Sequence, residues 1–249
     1  MGRLDDKVAI VTGGASGFGE AMARRFAAEG AKIVVADLNA KGAERVAGDI
    51  GSAAISVQTD VSQRAEFDEM VGAAMGAFGR IDIMVNNAGY THRNGDMLAV
   101  PEETFDLITA VNMKAIYHAA LAVVPIMERQ GGGVILTTAS TAGLRPRPGL
   151  TWYNASKGWA ITATKSMAVE LAPKKIRVNC LCPVAGETPM LEMFLGEDTP
   201  ERRALFRASV PLGRLSTPAD IANAALYLVS DEAEFITGVA LEVDGGRCI

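Results

Sequence analysis

The chain has 249 residues, 49% of them apolar and 21% charged, with a formal net charge of −5. That length can bury a substantial core as one α/β domain, and the composition is ordinary for a globular protein. No basic run or stripe suggests a nucleic-acid partner, and the three cysteines and two histidines form neither a disulfide framework nor a zinc-ligand spacing.

The N-terminus runs from charge directly into a strand pattern, with no signal-peptide character. The longest apolar stretch, 115–127, is interrupted by His118 and Pro125 and is too short to span a membrane. A cytoplasmic, metal-free protein with no membrane partner is therefore expected. Cys180 and Cys182 read as small buried residues at a strand end.

Residues 7–12 (KVAIVT) form a short β-branched run that feeds TGGASGFG, residues 12–19. A helix follows and ends before Gly30. Gly13, Gly17 and Gly19 stand in a G-x-x-x-G-x-G spacing, and the strict G-x-G-x-x-G pattern is absent. Glycines here permit a tight strand-to-helix turn and let the backbone approach a pyrophosphate, which the helix N-terminus attracts. The next strand, 32–36, ends in Asp37. A carboxylate at that spacing suits the two ribose hydroxyls of an adenosine and repels a 2′-phosphate. Neither Ser16 nor Leu38 supplies a base for such a phosphate.

The alternation continues in chain order. A helix near 41–49 leads to a strand around 53–59 that ends in Asp60-Val61. A helix near 64–78 leads to a strand at 81–85 that ends in Asn86-Asn87-Ala88-Gly89. A long helix from about 102 to 130 precedes an apolar strand at 134–136 and then Ser140. The helix from about 152 to 171 carries Tyr153 and Lys157, four residues apart and so on one face. A sixth strand at 176–181, a helix near 218–229 and a seventh strand at 239–243 complete the order. This pattern predicts a doubly wound, parallel seven-stranded sheet with helices on both faces, in one domain covering 1–249. The singled-out residues, Pro183 included, fall at strand carboxyl ends, where such sheets bind ligands. A serine beside a helical Tyr-x-x-x-Lys suits proton transfer at an alcohol or ketone oxygen.

These motifs together resemble the classical short-chain dehydrogenase/reductase family. TGGASGFG looks like its TGxxxGxG turn, NNAG like its motif after the fourth strand, and Ser140, Tyr153 and Lys157 fit its catalytic spacing. Asn112, in AVNMKA, matches the fourth member of the family's tetrad. The resemblance implies a Rossmann-type fold and an NAD(H)-dependent oxidoreductase interconverting a secondary alcohol and a ketone. Tyr153 is then the general acid/base, Ser140 holds the substrate oxygen, and Lys157 lowers the phenol's pKa and grips the nicotinamide ribose. Asn112 anchors a water leading to solvent. Cofactor contacts are implied for Gly13, Ser16, Gly17, Phe18, Gly19, Asp37, Leu38, Asp60, Val61, Asn87, Ala88, Gly89, Pro183, Val184, Gly186 and Thr188. Phe18 is bulkier than the family's usual isoleucine or leucine, and Val184 replaces its usual glycine. The helices near 102–130 and 152–171 are long and carry apolar residues on more than one side; in the family these helices pack between subunits, and a homotetramer is expected.

The substrate is not specified by these motifs. An alternative is a 3-oxoacyl-[acyl-carrier-protein] reductase, with Arg129, Lys174 and Lys175 as a basic patch for an acidic carrier. A non-catalytic nucleotide-binding module is a further alternative, against which the intact Asn-Ser-Tyr-Lys set argues. Arg93, Arg145 and Arg147 lie on segments next to the expected substrate mouth. They bind either an anionic substrate or neighbouring carboxylates.

Overall fold

The computed structural model describes residues 2–249. Seven parallel strands form one sheet in the order β3-β2-β1-β4-β5-β6-β7. The strands are β1 (Val8–Thr12), β2 (Lys32–Asp37), β3 (Ala54–Gln58), β4 (Ile83–Asn86), β5 (Gly133–Thr138), β6 (Ile176–Pro183) and β7 (Ala240–Val243). The order reverses between β3-β2-β1 and β4 onward, which opens a crevice at the carboxyl ends of β1 and β4. β1 and β4 are buried along their whole length, as near-continuous apolar runs in a two-faced parallel sheet must be.

On one face lie α1 (Gly17–Ala28), α2 (Ala40–Ile50) and α9 (Pro218–Val229). On the other lie α3 (Arg64–Phe78), the helix through α4 (Glu102–Thr109) and α5 (Ala115–Gln130), and α6 (Thr151–Leu171). Met22 and Phe26 of α1 pack with Ile221 and Leu226 of α9 and are fully buried. Each large apolar side chain so buried contributes about 1.5–3 kcal/mol. α9 starts on a capping box in which Thr217 accepts from the Asp220 backbone while Asp220 answers the Thr217 N–H.

α4 and α5 are joined by a single π turn, Ala110–Lys114, so the helix is continuous from Glu102 to Gln130. Its 29 residues are long and apolar enough to cross a membrane, unlike the shorter stretch visible in the sequence. Its apolarity has a local cause: Ile108, Ala115, Ala119, Val123 and Met127 are buried within the fold. The π turn places Asn112 inward, a device common where a helix must present one side chain to a site.

Two short helices, α7 (Leu191–Leu195) and α8 (Pro200–Ala208), lie between β6 and α9. Sequence patterning alone predicts no element over this stretch, although Thr199-Pro200 carries a start signal. The Thr199 hydroxyl accepts from the Arg202 N–H at 3.3 Å, and Pro200 occupies the first helical position.

Candidate active site

A cleft of about 460 Å³ opens along the strand carboxyl ends. At one end it is lined by Asp37, Leu38, Asp60 and Val61; in the middle by Gly13, Ser16, Gly17, Phe18, Asn87, Ala88 and Gly89. At the other end stand Ser140, Arg147, Tyr153, Lys157, Pro183, Val184, Gly186 and Thr188. Gly19 lies behind the turn rather than on the wall. A Cβ there would sit 2.0 Å from the Gly13 carbonyl oxygen, so the turn closes only on glycine. Gly13 has φ +64°, and its added Cβ would meet Ala88 Cα at 2.9 Å. β1 and β4 thus approach each other through backbone alone, which leaves the helix N-terminus open to a phosphate.

Thr12 and Asn87 brace this crevice. The Thr12 hydroxyl accepts from the N–H groups of Asn87 (3.0 Å) and Ala88 (3.1 Å), and Asn87 Nδ2 donates to the Thr12 carbonyl at 3.0 Å. The Thr138 hydroxyl donates to Asn87 Oδ1 at 3.1 Å, which ties in β5. Phe18 finds its room at Gly186, where a Cβ would meet the ring at 2.6 Å. Bulk at one position is thereby matched by its absence at the other. Val184 is buried, and its N–H donates to the Val243 carbonyl at 3.3 Å.

The far end of the cleft joins β5, a 3-10 turn at Thr141–Gly143 and α6. Tyr153 and Lys157 are buried on one face of α6, with Lys157 Nζ 5.7 Å from the centre of the Tyr153 ring. Lys157 Nζ donates to the Thr138 carbonyl at 2.8 Å. The Asn112 amide bonds to both backbone groups of Tyr90 at 2.8 Å and donates to the Ser156 hydroxyl at 2.9 Å. It therefore lies outside the main cleft. A second cavity of about 10 Å³, close to the volume that holds one water, lies between Asn112 and Lys157.

The electrostatics depart from the sequence expectation. Burial pushes the Tyr153 phenol up to about 12, opposed by the Ser140 hydroxyl and then by the Arg147 guanidinium. Burial also pushes Lys157 down to about 8. Desolvation is the dominant influence on both groups, and the cation that acts on the phenol in this arrangement is Arg147.

The three candidate arginines separate. Arg145 donates to the Arg247 carbonyl at 2.6 Å, outside the cleft. Arg93, also outside it, donates to the Gly196 carbonyl and lies 3.7 Å from Glu192. Arg147 alone of the three lines the cleft, and it has no carboxylate partner among the described residues. Its guanidinium lies over the Phe206 ring at 4.4 Å and 5.8 Å from that of Phe194. Tyr90, Leu107, Met190 and Phe194 also line the cleft and were not singled out from sequence. Their positions follow from segments that meet only in the fold. The Asn94 N–H donates to the Met193 carbonyl, and the Gly95 N–H to the Gly149 carbonyl.

A doubly wound sheet with a glycine-cradled crevice, an acid at the end of β2 and a buried Ser-Tyr-Lys group defines a dinucleotide-dependent oxidoreductase. The sequence profile of the family described as enoyl-(acyl carrier protein) reductase matches residues 13–247. The 4-formylbenzenesulfonate dehydrogenase TsaC1/TsaC2 of Comamonas testosteroni is 50% identical over 250 residues, covering 99% of each chain. The 2-(R)-hydroxypropyl-CoM dehydrogenase of Xanthobacter autotrophicus is 40% identical, covering 96% of this chain and 97% of that one. A crystal structure of 3-ketoacyl-(acyl-carrier-protein) reductase from Brucella melitensis, complexed with NADH, is 50% identical. It superposes with a TM-score of 0.94 over 99% of this chain and 100% of that one. The chain belongs to the short-chain dehydrogenase/reductase family. It is an NAD-dependent oxidoreductase acting on CH–OH groups of a small-molecule substrate.

Proposed function

We propose that the protein oxidises a small organic anion bearing a secondary alcohol, and reduces the matching ketone, within one domain spanning residues 1–249. The carrying observation is Arg147: a cleft-lining guanidinium with no carboxylate partner among the described residues, set beside the Tyr153 end. Desolvation pushes it down to about 10, so it stays protonated at neutral pH and lacks a counter-ion. A sulfonate or carboxylate supplies one through paired hydrogen bonds. The name of the Comamonas relative, a formylbenzenesulfonate dehydrogenase, supports the anionic part of this reading.

NAD, when bound, supplies the hydride acceptor at the carbinol carbon. The residues that fit it are the glycine turn of α1, Asp37 for the adenosine ribose, Asp60, Val61 and the NNAG segment along the middle, and Pro183 to Thr188 at the nicotinamide end. Tyr153 takes the alcohol proton as the carbinol C–H electron pair leaves and the C–O bond becomes C=O; in reduction it returns that proton. With its phenol protonated at neutral pH, Tyr153 is the donor in reduction, and oxidation calls for nearby positive charge to lower it. Ser140 donates to the reacting oxygen. Lys157 orients the nicotinamide ribose. The small cavity by Asn112 and Lys157 suits one relay water.

The carrier-protein alternative loses its basic patch. Lys174 and Lys175 precede β6, and Arg129 precedes β5, so all three lie at the edge of the sheet opposite the cleft, with Lys174 paired to Glu128 at 2.9 Å.

Removing the guanidinium with Arg147→Ala is expected to raise KM for an anionic substrate about 10- to 100-fold, the worth of a charge-assisted pair. The neutral methyl ester of the same substrate is expected to change less than about 3-fold on the same accounting. Arg93→Ala and Arg145→Ala serve as controls without selective effect. Steady-state kinetics of acid and ester decide the matter, and equal KM changes for both would refute the anionic reading.

The protein is read as cytoplasmic and as a homotetramer. Beyond their core stripes, the central helices expose Tyr117 and Leu121 on α5 and Trp159 and Val169 on α6. The C-terminal region adds Phe235 and Ile249. Apolar faces of this kind cover a second surface, and two-fold axes are the usual solution. Light scattering at micromolar concentration is expected to give four times the chain mass; a monomer mass would overturn the assignment.

A further inference from the structure

Arg147 stands beside more than the substrate. The Phe194 ring centre is 5.2 Å from that of Tyr153, and Arg147 Cζ lies 5.8 Å from Phe194, so one aromatic ring separates guanidinium from phenol. All three residues line the same cleft. The guanidinium is held there by packing rather than by an ion pair, over Phe206 of α8, while the Arg147 carbonyl accepts from Asn154 Nδ2 at 2.8 Å. Its charge is therefore fixed in position and uncompensated.

We propose that Arg147 couples the charge of the substrate to proton transfer: an anion that pairs with the guanidinium withdraws from the Tyr153 phenolate a positive charge that a neutral substrate leaves in place. The coupling rests on the anionic-substrate reading of this site. Two cations lie near Tyr153: Lys157 on its own helix, with Nζ 5.7 Å from the ring centre, and Arg147 on the preceding loop, the one that bears on the phenol. Ser140, at the end of β5, presents only a hydroxyl. The charged group that bears on Arg147 from the C-terminal segment is Arg247, of like sign. The charges of the two short helices are engaged elsewhere: Glu192 lies by Arg93, Arg203 pairs with Asp198, and Arg202 lies by Glu197. Glu201 and Arg207, in the first and last turns of α8, are exposed. β6 contributes the thiols Cys180 and Cys182 beside Lys157. Pairing of Arg147 is thus the change near Tyr153 that depends on substrate charge.

The sign follows directly. A nearby cation favours phenolate, so its neutralisation makes the phenol harder to deprotonate. Oxidation of an anionic alcohol then loses activity on the acid side at a higher pH than oxidation of a neutral one. For a unit charge one ring away in partly buried surroundings, the difference is about one pH unit.

The test uses the full-length protein with saturating NAD and two alcohols of near-identical shape, 4-(1-hydroxyethyl)benzenesulfonate and the corresponding methyl sulfone. Single-turnover hydride transfer, followed by NADH absorbance across pH, isolates the chemical step from product release. The acid limb for the sulfonate is expected about one pH unit above that for the sulfone. The kcat/KM profiles, which report the protein before alcohol binds, should share one limb. In Arg147→Gln the sulfone limb should rise to about the wild-type sulfonate value, because the charge that a neutral substrate leaves in place is gone. Coincident limbs in the wild type overturn the coupling, as does a sulfone limb that stays at its wild-type position in Arg147→Gln. The wild-type comparison decides alone if that variant proves unstable. A KM advantage for the sulfonate that Arg147→Gln abolishes, together with coincident limbs, leaves the anionic reading intact and removes only the coupling. If the sulfonate shows no KM advantage, or neither alcohol is oxidised, the substrate reading fails and the coupling with it.

Discussion

Tyr153→Phe is expected to lower turnover by roughly 10²- to 10⁴-fold, the usual worth of a positioned acid/base, while NADH still binds. The variant deletes one oxygen and nothing else. The Tyr153 ring is buried against Ala142, Leu150 and Phe194, contacts that phenylalanine retains. The phenol lies high, at about 12, because it is desolvated, so its loss removes no charge from the folded protein at neutral pH. NADH fluorescence titration and steady-state rates in both directions are the measurements. Turnover above a few per cent of wild type would assign proton transfer to another group. Ser140→Ala should cost less, since it removes a donor to the reacting oxygen but leaves the proton path through Tyr153.

Much of this was legible in the chain because it depends on local backbone requirements. The Gly13-Gly17-Gly19 turn announces itself since no other residue fits: a Cβ at Gly19 would lie 2.0 Å from the Gly13 carbonyl oxygen. The strands read as buried because both faces of a parallel sheet are covered, and Tyr153 and Lys157 share a helix face by spacing alone. What was not legible depends on segments far apart in sequence. Three arginines stand on neighbouring loops, and only the meeting of the 144–149 loop with α7 and α8 places Arg147 over Phe206 and leaves Arg145 on the C-terminal carbonyls. The fit of Phe18 into the space at Gly186 is likewise a pairing of residues 168 positions apart in number, invisible until β1 and β6 lie in one sheet. The phenol of Tyr153 lies above its ordinary value rather than below it because spacing reveals proximity but not burial. Desolvation is the larger influence on both groups.

Asp37→Ala is expected to narrow the preference for NAD over NADP by about 10- to 100-fold, corresponding to about 1.4–2.8 kcal/mol. The carboxylate is fixed at the end of β2. One oxygen accepts from the Ala15 N–H at 3.0 Å and the other from the Asn39 N–H at 2.9 Å. An adenosine ribose meets an oriented acceptor there, and a 2′-phosphate meets a like charge that cannot swing away. A cation does stand nearby. Arg45 donates to the Ala15 carbonyl at 3.0 Å, which the sequence reading at positions 16 and 38 did not consider. It is already paired, with Glu20 at 2.7 Å and Asp49 at 3.7 Å, and Arg45 in turn holds the Glu20 carboxyl below its usual range. The site therefore presents NADP with a fixed negative charge and an occupied positive one. Asp37→Ala removes the first; Asp37→Ala with Glu20→Gln also frees Arg45, and the double variant should move further toward NADP than the single one. Glu20→Gln alone should leave the preference nearly unchanged, since the Asp37 repulsion remains. The measurement is kcat/KM with each cofactor at fixed alcohol and fixed low ionic strength, because surface charge effects are screened by salt. Wild-type protein that uses NADP as well as NAD, or an Asp37→Ala ratio equal to that of wild type, would show that the carboxylate does not set the choice.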